Sequence, residues 1–166
     1  MVCEGNWSNA EHDPATTQPL IEEAVSAGFA YALFGGVQEA RYRWGDKVAM
    51  GKVNIAMSAS KPPRLVMDSS VPNVNPTASI AERVDNPSLG SLPSDLDGSE
   101  GMSDLVAVTI DVKSAHTRIR VLPGEQGMLR FRHSGKTYAY RCCHFGGKFS
   151  SYWWARKRLN IASGSP

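Results

Sequence analysis

Disulfide chemistry and long apolar runs are both scarce in this chain of 166 residues. It has three cysteines, two of them adjacent at Cys142 and Cys143, which excludes a disulfide framework and predicts a reducing, intracellular location. No apolar run approaches the roughly 20 residues that a membrane span needs, so no membrane partner is expected. Residues 1–6 lack a basic region followed by an apolar one, and therefore no secretory signal is expected.

Acidic residues are almost absent from the last third of the chain. Residues 1–111 hold 7 Lys/Arg and 15 Asp/Glu, whereas residues 112–166 hold 11 Lys/Arg and a single acid, so the two parts carry −8 and +10. Aromatic residues interleave with this basic block. Such a block predicts a surface that binds nucleic acid, with Arg130, Arg132, Arg141 and Lys148 as the candidate contacts. Alternatively, these arginines only cover the solvent face of a hairpin.

Composition divides the chain into three parts. Residues 1–18 are polar and lack apolar periodicity, which predicts a loose leader. Residues 19–104 are expected to contain a helix over about 19–33, a hairpin and an acidic linker whose carboxylates are solvated. Residues 105–166 are expected to contain a strand, a basic hairpin and a C-terminal helix that packs Trp153 and Trp154 inward. The run Cys142-Cys143-His144 is not expected to bind zinc, since adjacent cysteines cannot readily serve one tetrahedral ion.

Three stretches have the pattern of β structure. Residues 48–71 alternate apolar and polar side chains on either side of two prolines, which predicts a hairpin. Residues 105–110 are apolar and rich in β-branched side chains, which predicts a central strand that ends at Asp111. Residues 128–132 and 137–143 predict an antiparallel hairpin with Arg130 and Arg132 on its solvent face. These strands and the helices together predict an α+β fold.

Three short motifs follow one another in a recognisable order. Residues 64–73 read Arg-Leu-Val-Met-Asp-Ser-Ser-Val-Pro-Asn, residues 109–116 read Thr-Ile-Asp-Val-Lys-Ser-Ala-His, and residues 145–151 read Phe-Gly-Gly-Lys-Phe-Ser-Ser. This series resembles the fingers motif, the first metal-binding motif and the Gly-x-x-x-Ser-Pro turn of reverse transcriptases, the RNA-directed DNA polymerases of retroelements. The resemblance covers residues 48–158. It implies the fingers hairpin and partial palm of a right-hand polymerase, with a mixed or antiparallel sheet and packing helices.

The resemblance also implies a site for deoxynucleoside triphosphates beside an RNA or DNA template-primer. Arg64 would hold the triphosphate, assisted by the charge of Lys61. Asp111 would be the catalytic carboxylate and, with the backbone carbonyl of Val112, would bind Mg²⁺. The other residues that the resemblance places against the nucleotide are Ser114, Ala115, His116 and Gly146, with His116 where the family has a bulky aromatic residue that excludes a ribose 2′-hydroxyl. From the residues alone, Asp111 could instead cap the following turn, and Arg64 could be a surface side chain.

The sequence departs from the family pattern in several respects. Ser114 stands where an acid is common, Ser151 replaces a proline, and Phe145 stands where many relatives have Gln. The family's paired Asp-Asp turn has no counterpart, because no Asp follows Asp111. We therefore expect a truncated or decayed polymerase that is inactive by itself. The alternatives are a non-enzymatic nucleic-acid-binding remnant and an α+β domain whose motif matches are coincidental.

Overall fold

The computed structural model describes Cys3, residues 5–82 and residues 111–162, with side chains described as far as Arg158. Within these residues the chain has an α+β fold, in which helices pack on a five-stranded sheet. The predicted strand at residues 105–110 and the predicted acidic linker lie outside the described residues. Across the described part of the chain, no helix combines the length and the apolar character needed to cross a membrane.

The first half of the chain contains two helices, a strand, a helix, a hairpin and a short helix, and the second half contains two 3₁₀ helices, a hairpin and a helix. The helices are α1 (Ser8–His12), α2 (Pro14–Ser26), α3 (Gly36–Trp44), α4 (Val74–Thr77) and α5 (Lys148–Ala162). The strands are β1 (Ala30–Leu33), β2 (Met50–Ser58), β3 (Lys61–Asp68), β4 (Arg130–His133) and β5 (Lys136–Tyr140). Two 3₁₀ helices cover His116–Arg118 and Pro123–Met128.

The sheet has the strand order β1-β5-β4-β2-β3. Both predicted hairpins are confirmed, since β2 pairs with β3 and β4 pairs with β5, each in antiparallel fashion. The β4–β5 turn places Ser134 and Gly135 at φ of 47° and 77°, the two positive values that a type I′ hairpin turn requires. A parallel pairing of β2 with β4 joins the two hairpins, and β1 and β3 form the sheet edges.

The first thirty residues differ from their prediction. The loose leader is wrong from Ser8 onward, because α1 and α2 lie there and the Trp7 N–H donates to the Val53 carbonyl. Helix α2 begins earlier than predicted because Asp13 caps it, accepting from the Thr16 N–H at 3.0 Å, and Pro14 suits the first helical position. It also ends earlier, because residues 30–33 pair with β5 as a strand.

The hydrophobic core is divided into a large cluster, built mainly from the strands, and a small one in which Ala40 of α3 packs with Leu33 and Ala139. Phe131 of β4 is fully buried and stacks on Tyr138 of β5, with ring centroids 5.2 Å apart. Cys142 and Cys143 are buried just beyond β5, and burial raises the pKa of these thiols to about 12 and about 11. Helix α5 packs Ala155 inward but leaves Trp153 49% exposed, so the inward packing predicted for Trp153 is wrong.

Candidate functional site

The segment around Gly146 is docked against strand β3. The backbone N–H of Met67 donates to the Phe145 carbonyl at 2.9 Å. Gly146 has a φ of +100°, and a Cβ at this position would collide with the Met67 carbonyl oxygen. Only glycine combines this backbone conformation with so close an approach to another strand. The Gly-x-x-x-Ser segment therefore lies against the β2–β3 hairpin. The predicted C-terminal helix is present as α5, which begins within this segment at Lys148.

The aromatic ring of Phe145 brings two of the predicted nucleotide contacts together. The central carbon of the Arg64 guanidinium lies 5.7 Å from the Phe145 ring centroid. The imidazole of His116 packs against the same ring with centroids 5.2 Å apart and planes inclined by 53°. A cation over a ring face and a tilted ring pair are both favourable arrangements. One side chain from each of the three motifs thus meets at one ring, which we call the Phe145 cluster.

The two basic residues predicted to bind the triphosphate lie on β3. Arg64 pairs with Ala56 across the hairpin, and Lys61 pairs with Ser58 next to the turn. Both side chains are exposed. The structure brings Arg64 into the Phe145 cluster, whereas Lys61 lies nearer the hairpin tip.

A buried histidine supports the cluster from below. His144 Nδ1 lies 3.0 Å from the Phe145 carbonyl oxygen, and Nε2 lies 3.3 Å from the Ser69 hydroxyl. This pattern assigns the proton to Nδ1, so that Nε2 accepts from the hydroxyl. Burial lowers the pKa of His144 to about 4 and keeps the ring neutral. His144 directly precedes Phe145 in the sequence, but no motif pointed to this supporting role.

The predicted metal-binding motif is described from Asp111 onward. Asp111 is exposed and precedes a turn over residues 113–115, in which Ser114 has a φ of 58° and its carbonyl accepts from the Thr117 hydroxyl. Among the described residues, the Asp111 carboxylate accepts no hydrogen bond from that turn, so the capping alternative has no contact to support it. Burial lowers the pKa of His116, whose Nδ1 is enclosed without a hydrogen-bond partner.

Few of the described residues could serve as ligands for a magnesium ion. No group of three or more His, Cys, Asp or Glu side chains that could hold a metal occurs in the part of the chain that is described. An exposed carboxylate is a hard oxygen ligand, and Mg²⁺ commonly takes one or two carboxylates and completes its shell with water and phosphate. Asp111 and the Val112 carbonyl therefore fit a share in one such ion, but they do not supply the ligands for two.

The four basic residues predicted to contact nucleic acid lie in different surroundings. Arg132, Arg141 and Lys148 are exposed. Arg130 is fully buried, so the prediction that it faces solvent is wrong. Its Nε donates to the carbonyls of Ala49 and Gly127 at 3.2 and 3.0 Å, and its two terminal nitrogens are enclosed without partners. Strand alternation alone did not reveal this, because the burial comes from tertiary packing, which places the guanidinium against the backbone of Ala49 and Gly127.

The similarity of this chain to known proteins lies in its fold and not in its sequence. No protein-family model matches the sequence, and no curated protein matches it. Among solved structures, a foamy viral protease–reverse transcriptase solved in complex with double-stranded DNA is similar, with a TM-score of 0.65 and 14% sequence identity. The similarity covers 98% of this chain and 24% of the foamy viral chain, so the chain spans about a quarter of that protein's length. The protein therefore has a reverse-transcriptase-like α+β fold.

Proposed function

We propose that this chain is the fingers and part of the palm of a reverse-transcriptase-like, RNA-directed DNA polymerase, and that it binds a deoxynucleoside triphosphate beside a template-primer. The observation that carries the proposal is the Phe145 cluster. Arg64, His116 and Phe145 come from three separate motifs of the sequence, and the fold brings their side chains into contact. Coincidental motif matches would give no reason for these side chains to share one ring.

The proposed roles follow from the chemistry of each group. Arg64 is exposed, and its guanidinium offers two parallel donors that match phosphate oxygens. Lys61 adds a point charge near the tip of the hairpin, and the backbone of Ser114 and Ala115 lies in the turn that precedes His116. The His116 ring, held on Phe145, limits the space on the sugar side of the nucleotide, and Gly146 allows close approach of backbone.

Magnesium belongs to the same proposal. Asp111 and the Val112 carbonyl would hold one ion together with the phosphates of the nucleotide. When bound, the ion would supply charge neutralisation on the phosphates and would orient them. Asp111 and Arg64 are thereby proposed to act on the same triphosphate from two sides, the first through the ion and the second directly.

A second candidate is a nucleic-acid-binding protein without catalysis. The charge distribution favours it, since residues 112–166 carry +10 and include the exposed Arg132, Arg141 and Lys148. Polyanion binding of this kind needs no metal and no nucleotide, because phosphate contacts release counterions whatever the chemistry nearby.

Nucleotide binding separates the two candidates. A fluorescent deoxyadenosine triphosphate analogue is titrated into the full chain with Mg²⁺, and the variants Arg64→Lys and Phe145→Ala are compared with the exposed control Lys136→Gln. Charge-assisted hydrogen bonds contribute about 1.5–3 kcal/mol, so Arg64→Lys should weaken binding roughly tenfold or more. Unchanged affinity in both cluster variants would contradict the proposal. Oligonucleotide binding without any nucleotide binding would favour the second candidate.

A further inference from the structure

Helix α3 presents an exposed basic and aromatic surface. Ala40 is fully buried and Trp44 is partly buried with its indole N–H donating to the Pro123 carbonyl at 2.7 Å, so these two residues mark the inward side of the helix. Arg41, Tyr42 and Arg43 lie between them in the sequence and are all exposed, Tyr42 to 92%. At 100° per residue, Tyr42 points directly away from the sheet and the two arginines flank it.

Two arginines from different elements meet at the tyrosine beneath this helix. The Arg141 guanidinium lies 4.4 Å from the Tyr31 ring centroid, and that of Arg43 lies 5.8 Å from it. The Tyr31 hydroxyl donates to the Gln126 side-chain oxygen at 3.1 Å, which fixes the ring. The Arg141 guanidinium is held against the face of this ring, whereas Arg43 also forms an ion pair with Glu39 at 2.5 Å. Contact with a ring face uses none of the N–H donors of Arg141, so they stay available to phosphate oxygens.

The buried arginine adds positive charge to the same side of the sheet. Tyr31 pairs with Ala139, and Ala139 pairs with Arg130, so the three residues form one row across β1, β5 and β4 and point to the same face. Burial first, and then the positive charge of Arg41, lowers the pKa of Arg130. Nearby acids are few in the described chain: Glu39 is bound to Arg43, and Asp46 is followed directly by Lys47.

We propose that this surface, formed by Arg41, Tyr42, Arg43 and Arg141 and called the α3 surface, binds single-stranded nucleic acid. The arginines contact backbone phosphates, and the exposed Tyr42 ring stacks on a base. An aromatic ring set between guanidinium groups is the combination that single strands require, because every base offers a flat face and every linkage a charge. An acidic protein would use the arginines but would have no need of the outward-facing ring.

The α3 surface is separate from the Phe145 cluster. Tyr31 lies on β1 at one edge of the sheet, and Arg64 lies on β3 at the other, with three strands between them. Four strand spacings of about 4.8 Å place the two edges roughly 19 Å apart. The choice of nucleic acid as partner rests on the proposed function, but the residues involved are different. Variants of one site can therefore be tested without disturbing the other.

The test is binding of the full chain to fluorescein-labelled oligothymidine and oligouridine of about 20 nucleotides, followed by fluorescence anisotropy across a salt series. The variants are Tyr42→Ala, Tyr42→Phe, and Arg41→Gln with Arg43→Gln, with Lys136→Gln as a control that removes one positive charge outside the α3 surface. All positions are exposed, and thermal melting checks that each variant is folded. Polyglutamate of similar charge is the competing probe.

We expect Tyr42→Ala to weaken binding about tenfold and Tyr42→Phe to leave it unchanged, because stacking needs the ring and not the hydroxyl. The double arginine variant should weaken binding and should lower the salt slope by about 1.4, at about 0.7 per phosphate contact on a single strand. Affinities within twofold of the unmodified chain in both variants would overturn the inference. So would polyglutamate binding of equal strength that depends on the same arginines. If either of these results is obtained but the chain still binds the nucleotide analogue, the further inference fails and the proposed function stands.

Discussion

The Asn75 side chain joins helix α4 to the segment that begins helix α5. Its amide nitrogen donates to the Gly146 carbonyl at 2.8 Å, and its oxygen accepts from the Lys148 backbone N–H at 2.8 Å. Asn75 thereby satisfies a free N–H of the first turn of α5 and fixes Gly146 at the same time. A single amide can do both because it carries a donor and an acceptor.

Replacing Asn75 by Asp should therefore keep the hydrogen bond from Lys148 and lose the one to Gly146. The amide nitrogen also donates to the Ser70 hydroxyl at 3.0 Å, but that hydroxyl can donate to the carboxylate instead. The carboxylate can still accept from Lys148, but it faces the Gly146 carbonyl as a second acceptor. We expect a loss of about 1–3 kcal/mol in the free energy of unfolding, since a hydrogen bond is replaced by repulsion. Urea unfolding at neutral pH measures the loss. Recovery of most of this stability at low pH, where the acid is protonated and can donate, would support the assigned geometry; a loss that stayed the same would contradict it.

Gly146→Ala should be more damaging than an ordinary glycine substitution. The φ of +100° alone costs a residue with a Cβ about 1–3 kcal/mol, and the new methyl group would also collide with the Met67 carbonyl. The matched control is Gly124→Ala, where nothing lies within 4 Å of the added Cβ and φ is not positive. We expect the melting temperature to fall by several degrees in Gly146→Ala and to change little in Gly124→Ala. Equal melting temperatures for the two variants would refute the close approach.

His144 makes stability depend on pH. The pKa of His144 in the fold is about 4, below the usual value near 6.5, so the unfolded chain binds the proton more tightly. The contribution of His144 to the free energy of unfolding is therefore fully present above pH 6.5 and is lost as the pH falls toward 4. We expect the contribution of His144 to the free energy of unfolding to fall by about 2 kcal/mol between pH 7 and pH 5. Because carboxylates also titrate at low pH, the measurement is the difference in urea unfolding between the unmodified chain and His144→Asn, whose pH dependence should be flatter.

Arg130→Met should have little effect on binding or on stability. Among the described residues the buried guanidinium has no acidic partner, so Arg130→Met relieves the cost of burying an unpaired charge. This gain offsets the loss of the Nε hydrogen bonds to the Ala49 and Gly127 carbonyls. We expect the free energy of unfolding to change by less than about 1 kcal/mol, against about 3–5 kcal/mol for Phe131→Ala in the same strand. Oligonucleotide affinity should be unchanged in Arg130→Met and reduced in Arg141→Gln. A large loss of affinity in Arg130→Met would mean that the guanidinium reaches the surface.

The chain as given should not extend a primer. Asp111 is the one carboxylate assigned to the proposed metal site, one carboxylate cannot hold two metal ions, and no other Asp follows it in the sequence. Appending a segment with paired aspartates should restore Mg²⁺-dependent extension, and Asp111→Asn in that longer protein should abolish it while template binding stays nearly unchanged. Gel-based primer extension on both forms decides the matter. Activity in the unextended chain would contradict the metal-site argument, and activity that survives Asp111→Asn would assign the role to another carboxylate.

Both hairpins were predictable from the sequence because their information is local. Alternating side chains mark a strand with one buried face, and Gly135 suits the positive φ of the two-residue turn, which Ser134 adopts at 47° although it is not a residue that favours it. The presence of a C-terminal helix was predictable for the same reason, although α5 begins at Lys148, inside the Gly-x-x-x-Ser segment. The strand at residues 30–33 was not predictable, because an apolar stretch of this length suits a helix or a strand equally. Pairing with the free edge of β5 decided that it is a strand.

The sequence by itself determined the α+β class, the two hairpins and the residues that take part in the proposed nucleotide site. Only the tertiary structure decided that Arg64 and His116 meet at Phe145, that Arg130 is buried, and that Arg43 and Arg141 share Tyr31. The physical reason is that alternation and turn chemistry act between neighbours in the chain. Contacts between distant residues depend on which strands pair, and here the parallel β2–β4 pairing sets the positions of both hairpins in one sheet.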